Sequence, residues 1–258
     1  MSPGEADHME ERGANAYVAE FIGTFFLVLF IASVVAVNSA DGLGVTDFAV
    51  IGLVHAFLLA MLIYTLGATS GAHFNPAVTI ALAAIRKISI ADAAIYILVQ
   101  LSGGVAGALV CKLLLLDEGS GVNYGAATVS EQFAQGKALT GLLAEAIGAF
   151  VLMWAIMGVA VNERGERAWA GWVIGATLGF AVMTLAPISG AGFNPARWFG
   201  PAIVSGTYDD GWVYVVGPVL AALAAAFLYT ALVLKPEGKP AERPIDTYDE
   251  PETPRRPT

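Results

Sequence analysis

Two nine-residue stretches carry the chemistry of this chain. SGAHFNPAV runs from Ser70 to Val78, and SGAGFNPAR runs from Ser189 to Arg197, 119 positions later, with seven of nine residues identical. Asparagine is a favoured helix N-cap, proline suits the first helical position because its missing N–H has no intrahelical partner there, and alanine has the highest helix propensity. Asn75-Pro76-Ala77 and Asn194-Pro195-Ala196 therefore each start a helix and leave an amide at its positive end. Two such ends brought together orient a polar molecule by its acceptor and repel cations, without making or breaking a bond. The copies differ in one charge: Arg197 stands where the first has Val78.

Other chemistries find no support. No HExxH or GxSxG occurs, only three histidines are present, and no nucleophile is spaced from a base in a readable way, so no catalytic residue is assigned. Cys111 is the only cysteine, which excludes disulfides within the chain and cysteine-cluster metal sites. The net charge of −9, contributed by the ends and by loop residues such as Asp41, Asp47, Asp209 and Asp210, argues against a nucleic-acid partner.

The elements that must position these motifs are membrane helices. The chain is 57% hydrophobic, 14% charged and contains 29 glycines, too apolar for an ordinary soluble domain. Six stretches are long enough to cross a hydrocarbon layer of roughly 30 Å, which takes about 20 helical residues: Tyr17–Val37, Phe48–Leu66, Ala93–Leu116, Leu139–Val161, Ala168–Ile188 and Trp212–Leu234. The first carries Glu20 and lacks a basic lead-in or a cleavage site, so it reads as a retained helix rather than a signal peptide. Six crossings put both ends on one side. Arg86, Lys87, Arg164, Arg167 and the basic residues of the tail then share that side, against Lys112, Lys137 and Arg197 opposite, which predicts cytoplasmic termini. Residues 1–15 and 235–258 are polar and read as disordered cytoplasmic segments around a channel domain at 16–234.

The channel domain is a duplication. AEFIGTFFLV at Ala19–Val28 is echoed by AEAIGAFVLM at Ala144–Met153, which gives repeats at about 16–116 and 138–234. Each holds three spans, an odd number, so the second repeat enters the membrane inverted. The short apolar runs Asn75–Ile85 and Asn194–Val204 suit re-entrant half-helices that meet near the midplane. Non-helical backbone at that depth is tolerated where it lines a wet cavity, so Gly71, Ala72, His73, Gly190, Ala191 and Gly192 are expected to offer carbonyls to a polar lumen. Arg197 either faces that path or snorkels to the surface. His55, taken alone, is either an interhelical hydrogen-bonding group or a lumen residue. Glu20 and Glu145 fall at equivalent repeat positions and need buried partners.

With its six spans, twin FNPA sites, paired Ala-Glu helix starts and NPARWFGP tail, the chain resembles the major intrinsic protein family, the aquaporins and aquaglyceroporins, over nearly all of 14–234. The resemblance implies an all-α fold of six transmembrane helices plus two re-entrant half-helices in an inverted repeat. It implies a passive channel in the cell membrane, a homotetramer in the lipid bilayer with one pore per subunit, and no cofactor. It assigns His55, Val182, Ala191 and Arg197 to the family's aromatic/arginine filter, and Glu20, Glu145 and Gln100 to structural support, with His73 facing the inner vestibule. The filter departs from the water-selective pattern: the histidine sits on the second span, and Val182 and Ala191 are small. This is closest to the tonoplast-intrinsic class and implies water with ammonia or urea as further uncharged solutes, protons and ions being excluded. Trp198 after Arg197, and no aromatic at Val182 or Ala191, depart from the glycerol-conducting pattern, which stands as the alternative. If His55 titrates near the ordinary value of about 6.5, conduction would respond to pH. Inverted repeats also serve ion-coupled transporters, but two facing helix N-termini disfavour a cation at the centre.

Overall fold

The computed structural model describes residues 12–39 and 47–234; the tail 235–258 and residues 1–11 of the N-terminal segment lie outside them. Among the described residues the chain forms ten α-helices: α1 (Ala14–Asn38), α2 (Phe48–Ser70), α3 (Pro76–Ala84), α4 (Ile90–Leu114), α5 (Leu116–Ser120), α6 (Glu131–Ala134), α7 (Ala138–Ile156), α8 (Ala170–Ser189), α9 (Pro195–Ser205) and α10 (Val213–Tyr229). Six helices are long and apolar enough to span a bilayer, with mean hydropathy from 1.7 to 2.4, and they coincide with the six expected spans. Large apolar side chains such as Leu113 (81% exposed) and Leu139 (73%) point outward, an arrangement that water disfavours and lipid accommodates. Six crossings put the start of α1 and the end of α10 on one side, hereafter the termini face.

Element ends follow local chemistry. Asp47 caps α2, its Oδ1 accepting from the Ala49 N–H at 2.8 Å. Ser89 caps α4 by accepting from the Asp92 N–H at 3.0 Å, so this helix begins at Ile90, ahead of the expected Ala93. One expectation is corrected at the N-terminus: Ala14 and Asn15, taken from sequence as part of a disordered lead-in, are helical. The cause is docking. Asp92 Oδ1 accepts from both the Arg12 N–H at 3.2 Å and the Tyr17 hydroxyl at 2.7 Å, which fastens the first turn of α1 to α4.

The inverted repeat is visible as α1–α4 and α7–α10. Within each repeat the first helix packs on the last, α1 on α4 and α7 on α10; each half-helix packs against the last helix of the other repeat, α9 on α4 and α3 on α10; and α2 and α8 join the halves along their length. Glycine sets how close these helices come. A Cβ on Gly104 of α4 would stand 2.6 Å from the Ala196 carbonyl oxygen of α9, and one on Gly175 of α8 would stand 2.4 Å from that of Ala56 in α2.

Gly23 in α1 and Gly148 in α7 do something more specific. A Cβ on either would stand 2.1 Å from a ring carbon of Phe74 or Phe193 respectively, two fully buried side chains just ahead of the two asparagines. Each glycine is the notch that receives the loop's phenylalanine. Substituting Gly148→Ala is therefore expected to destabilise the fold by about 1–3 kcal/mol through overpacking, read as a lowered unfolding midpoint in detergent. Gly121→Ala, where a Cβ meets nothing within 4 Å, should leave the midpoint unchanged.

Candidate functional site

The two nonapeptides form the centre of the molecule. α2 ends at Gly71 (φ 87°) and α8 at Gly190 (φ 77°), left-handed positions that glycine adopts without strain. The loops that follow repeat the same irregular path, with Ala72 (φ 54°) and Phe74 (φ 47°) matched by Ala191 (φ 50°) and Phe193 (φ 51°). Four non-glycine residues in that region cost of order 1 kcal/mol each or more, so the surroundings must hold them.

Two carboxylates do so. Glu20 accepts from the Ser70 hydroxyl (2.6 Å), the His73 N–H (3.0 Å) and the Phe74 N–H (2.7 Å). Glu145 accepts in the same way from the Ser189 hydroxyl (2.7 Å), the Gly192 N–H (2.8 Å) and the Phe193 N–H. Both side chains are fully buried. Two tyrosines finish the frame: the Tyr96 hydroxyl donates to the Ser70 carbonyl at 2.8 Å, and the Tyr214 hydroxyl to that of Ser189 at 2.7 Å. Sequence reasoning singled out the glutamates but not the serines or tyrosines. The signal was present, since each serine opens its nonapeptide and the tyrosines stand 21 and 20 residues beyond their asparagines.

Each asparagine works twice. The Asn75 Oδ1 caps α3 by accepting from the Ala77 N–H at 2.9 Å, and the Asn194 Oδ1 caps α9 by accepting from the N–H groups of Ala196 (2.9 Å) and Arg197 (3.3 Å). The Asn75 Nδ2 donates across the molecule to the Phe193 carbonyl at 3.0 Å, and the Asn194 Nδ2 donates to the Phe74 carbonyl at 2.8 Å. The half-helix tips are thus tied together crosswise. Each amide keeps one further N–H to offer.

Two cavities approach this centre from opposite faces. One, of about 290 Å³, opens at the termini face and is lined by Gly71, Ala72, His73, Asn75, Gly192 and Asn194, with an apolar wall that includes Leu27, Leu59 and Ile174. The other opens at the far face and is lined by Val182, Gly190 and the segment Gly125–Thr128. His55 and Arg197 line both, so they stand where the cavities meet. Ala191, buried between Gly190 of one cavity and Gly192 of the other, lines neither. Of the expected carbonyl-bearing residues, Gly71, Ala72, His73 and Gly192 line the first cavity and Gly190 the second.

At the junction, His55 Nδ1 lies 2.8 Å from the Ile51 carbonyl and must donate to it, which leaves Nε2 of the neutral ring with its lone pair free. Arg197 Nη1 donates to the Gly125 carbonyl at 2.7 Å, which fixes the guanidinium plane. His55 Nε2 and Arg197 Nε are the buried side-chain polar atoms that lack a partner among the described residues, one an acceptor and the other a donor. Gln100 joins the frame around Glu20, its Nε2 donating at 2.8 Å. No cluster of potential metal ligands is found among the described residues.

Comparison with known proteins agrees with this geometry. The sequence profile described as "Major intrinsic protein" matches residues 7–229. Aquaporin AqpM of Methanothermobacter marburgensis is 39% identical over 242 residues, covering 83% of this chain and 96% of that protein. Aquaporin NIP3-1 of Arabidopsis thaliana is 38% identical over 216 residues, covering 83% of this chain and 66% of that protein. The X-ray structure of the aquaglyceroporin from Plasmodium falciparum shares the fold with a TM-score of 0.72 at 21% identity, covering 85% of this chain and 96% of that one. Two inverted repeats, two crosswise-tied Asn-Pro-Ala half-helices and a sequence match over most of its length show that the chain belongs to the major intrinsic protein family and is a channel, not an enzyme.

Proposed function

We propose that the two cavities form one lumen that conducts water in single file, together with ammonia and urea, and excludes protons and ions. The observation that carries this reading is the pair of unpartnered atoms at the junction. A buried polar atom without a partner is costly. A molecule that donates to His55 Nε2 and accepts from Arg197 Nε satisfies both as it passes, and water, ammonia and urea each do so. The small side chain of Val182 completes the proposed filter and favours solutes somewhat wider than water, whereas Ala191, assigned to the filter by resemblance, lines neither cavity.

The exclusion of charge has two sources on this reading. The N-termini of α3 and α9 point their partial positive charges at one spot, and the remaining N–H of Asn75 and Asn194 engages the oxygen of a passing water. That water then cannot accept from its neighbour, which interrupts a proton wire. Arg197 adds a full positive charge at the junction. The termini face is taken as cytoplasmic from the excess of Lys and Arg in its loops. Four chains are proposed to assemble in the cell membrane, each with its own lumen.

A glycerol facilitator is the second reading. It is favoured by the apolar wall of Leu27, Leu59 and Ile174, which suits the carbon side of a polyol. Stopped-flow light scattering on proteoliposomes, with water, urea, ammonia and glycerol compared on one preparation, separates the two. Fast water flux with urea or ammonia ahead of glycerol supports the first, glycerol ahead of urea supports the second, and flux no greater than in empty vesicles overturns both.

Three substitutions probe the parts. Val182→His narrows the proposed filter, and urea flux should fall about tenfold, ~1.4 kcal/mol of added barrier, with water flux retained. Arg197→Val removes the charge and should produce a proton leak, seen with a pH-sensitive dye trapped in the vesicles. Cys111 is buried among Leu29 and Ala32, away from both cavities, so mercurials should leave water flux unchanged; strong block that disappears in Cys111→Ser would contradict this placement.

A further inference from the structure

We propose that Arg12, together with His73, forms a second solute-selecting constriction where the lumen opens at the termini face, separate from the junction at His55 and Arg197. The inference rests on the reading of the lumen as a conduction path. Arg12 lies outside both nonapeptides and just ahead of α1, yet it lines the same cavity as Gly71, Ala72 and His73. Its backbone N–H is held by Asp92 at 3.2 Å, and Asp92 is itself fixed by the hydroxyls of Tyr17 at 2.7 Å and Ser89 at 2.6 Å. The side chain therefore starts from an anchored backbone.

Its direction is given by Gly71. A Cβ built there would stand 3.5 Å from His73 Nε2 and 4.0 Å from Arg12 Nη2, so imidazole and guanidinium converge on one point beside the loop. The hydrogen bonds around Thr79 fit a ring protonated at Nδ1. The Thr79 hydroxyl donates to the Asn75 carbonyl at 3.0 Å, and its oxygen accepts from Gln100 Nε2 at 3.0 Å and from His73 Nδ1 at 3.1 Å. With Nδ1 donating, Nε2 of the neutral ring is an acceptor. A water at the point of convergence accepts from Arg12 and donates to His73.

The same pairing, an imidazole acceptor beside a guanidinium donor, thus occurs at both ends of the central tie, built from unrelated parts of the chain. It does not come from the repeat, because the position of His73 is Gly192 in the second copy. Lys87, Arg167 and Glu163 also line this mouth, which gives it an excess of positive groups. A cation approaching from the termini face meets Arg12 before it reaches the half-helix tips, and a bulky solute must pass the guanidinium.

The test uses one cysteine. Arg12→Cys is made together with Cys111→Ser, labelled in detergent with a bulky cationic methanethiosulfonate, checked by mass for complete modification, and reconstituted. Labelled protein should conduct water about tenfold more slowly than the same protein unlabelled, and a reducing agent should restore the flux. Arg12→Ala, without label, should raise urea flux relative to water flux. Labelled protein that conducts as fast as unlabelled overturns the constriction. If wild-type vesicles swell no faster than empty ones, the conduction reading fails, and this inference fails with it.

Discussion

The fold depends on giving every backbone N–H at membrane depth a partner. A bilayer core supplies none, and each unpaired group there costs several kcal/mol. Helices satisfy themselves, but the two loops that carry the asparagines cannot, because they must leave helical geometry to turn back. Glu20 and Glu145 supply what is missing: each takes two loop N–H groups and one serine hydroxyl. This explains why a chain with so few charges commits two carboxylates to full burial. It also explains how Ala72, Phe74, Ala191 and Phe193 stay at positive φ, since the carboxylates, the glycine notches and the buried rings all fix the same short segments.

Symmetry covers the scaffold and stops at the lumen. The glutamate, serine, tyrosine, phenylalanine and asparagine contacts are duplicated almost bond for bond. The residues that line the cavities are not: His73 corresponds to Gly192 and Val78 to Arg197. Behind them the symmetry also lapses, since Thr79 corresponds to Trp198, and the position of Gln100, four beyond Tyr96, is Pro218, four beyond Tyr214. A symmetric frame brings two helix ends to one point, and only asymmetric side chains can make the two approaches differ. Arg197 also needs a partner from outside the repeat, the Gly125 carbonyl, held by a loop between the halves whose glycine backs onto Ala32.

Much of this was legible in the sequence, for identifiable reasons. The spans follow from hydropathy, the inversion from an odd number of spans per repeat, and the half-helices from the capping chemistry of Asn-Pro-Ala; all are local or periodic signals. The cross-ties between Asn75 and Phe193 and between Asn194 and Phe74 were not legible, because a backbone carbonyl carries no sequence signature and the partners lie 118 and 120 positions apart. Ser70, Ser189, Tyr96 and Tyr214 were legible only as repeated positions: their types are common in membrane helices, and the geometry is what shows that they repeat in role. The start of α1 was misjudged because its polar residues look like a tail until Asp92, 80 positions away, is seen to hold Arg12.

His55 shows how one local bond can set the character of the junction. Along α2 its ring reaches back four residues to the Ile51 carbonyl, which that helix leaves within 2.8 Å. That bond fixes the tautomer, so the neutral ring turns an acceptor toward a guanidinium that can only donate. Had the ring donated into the lumen instead, both groups would compete for the acceptor of a passing molecule and neither would take its hydrogens. On the proposed reading, the complementary pair accommodates any small molecule with one hydrogen and one lone pair to offer, turned so that the hydrogen meets the imidazole and the lone pair the guanidinium. On that reading, discrimination among such molecules falls to size and shape, for which Val182 and the neighbouring wall are the proposed determinants.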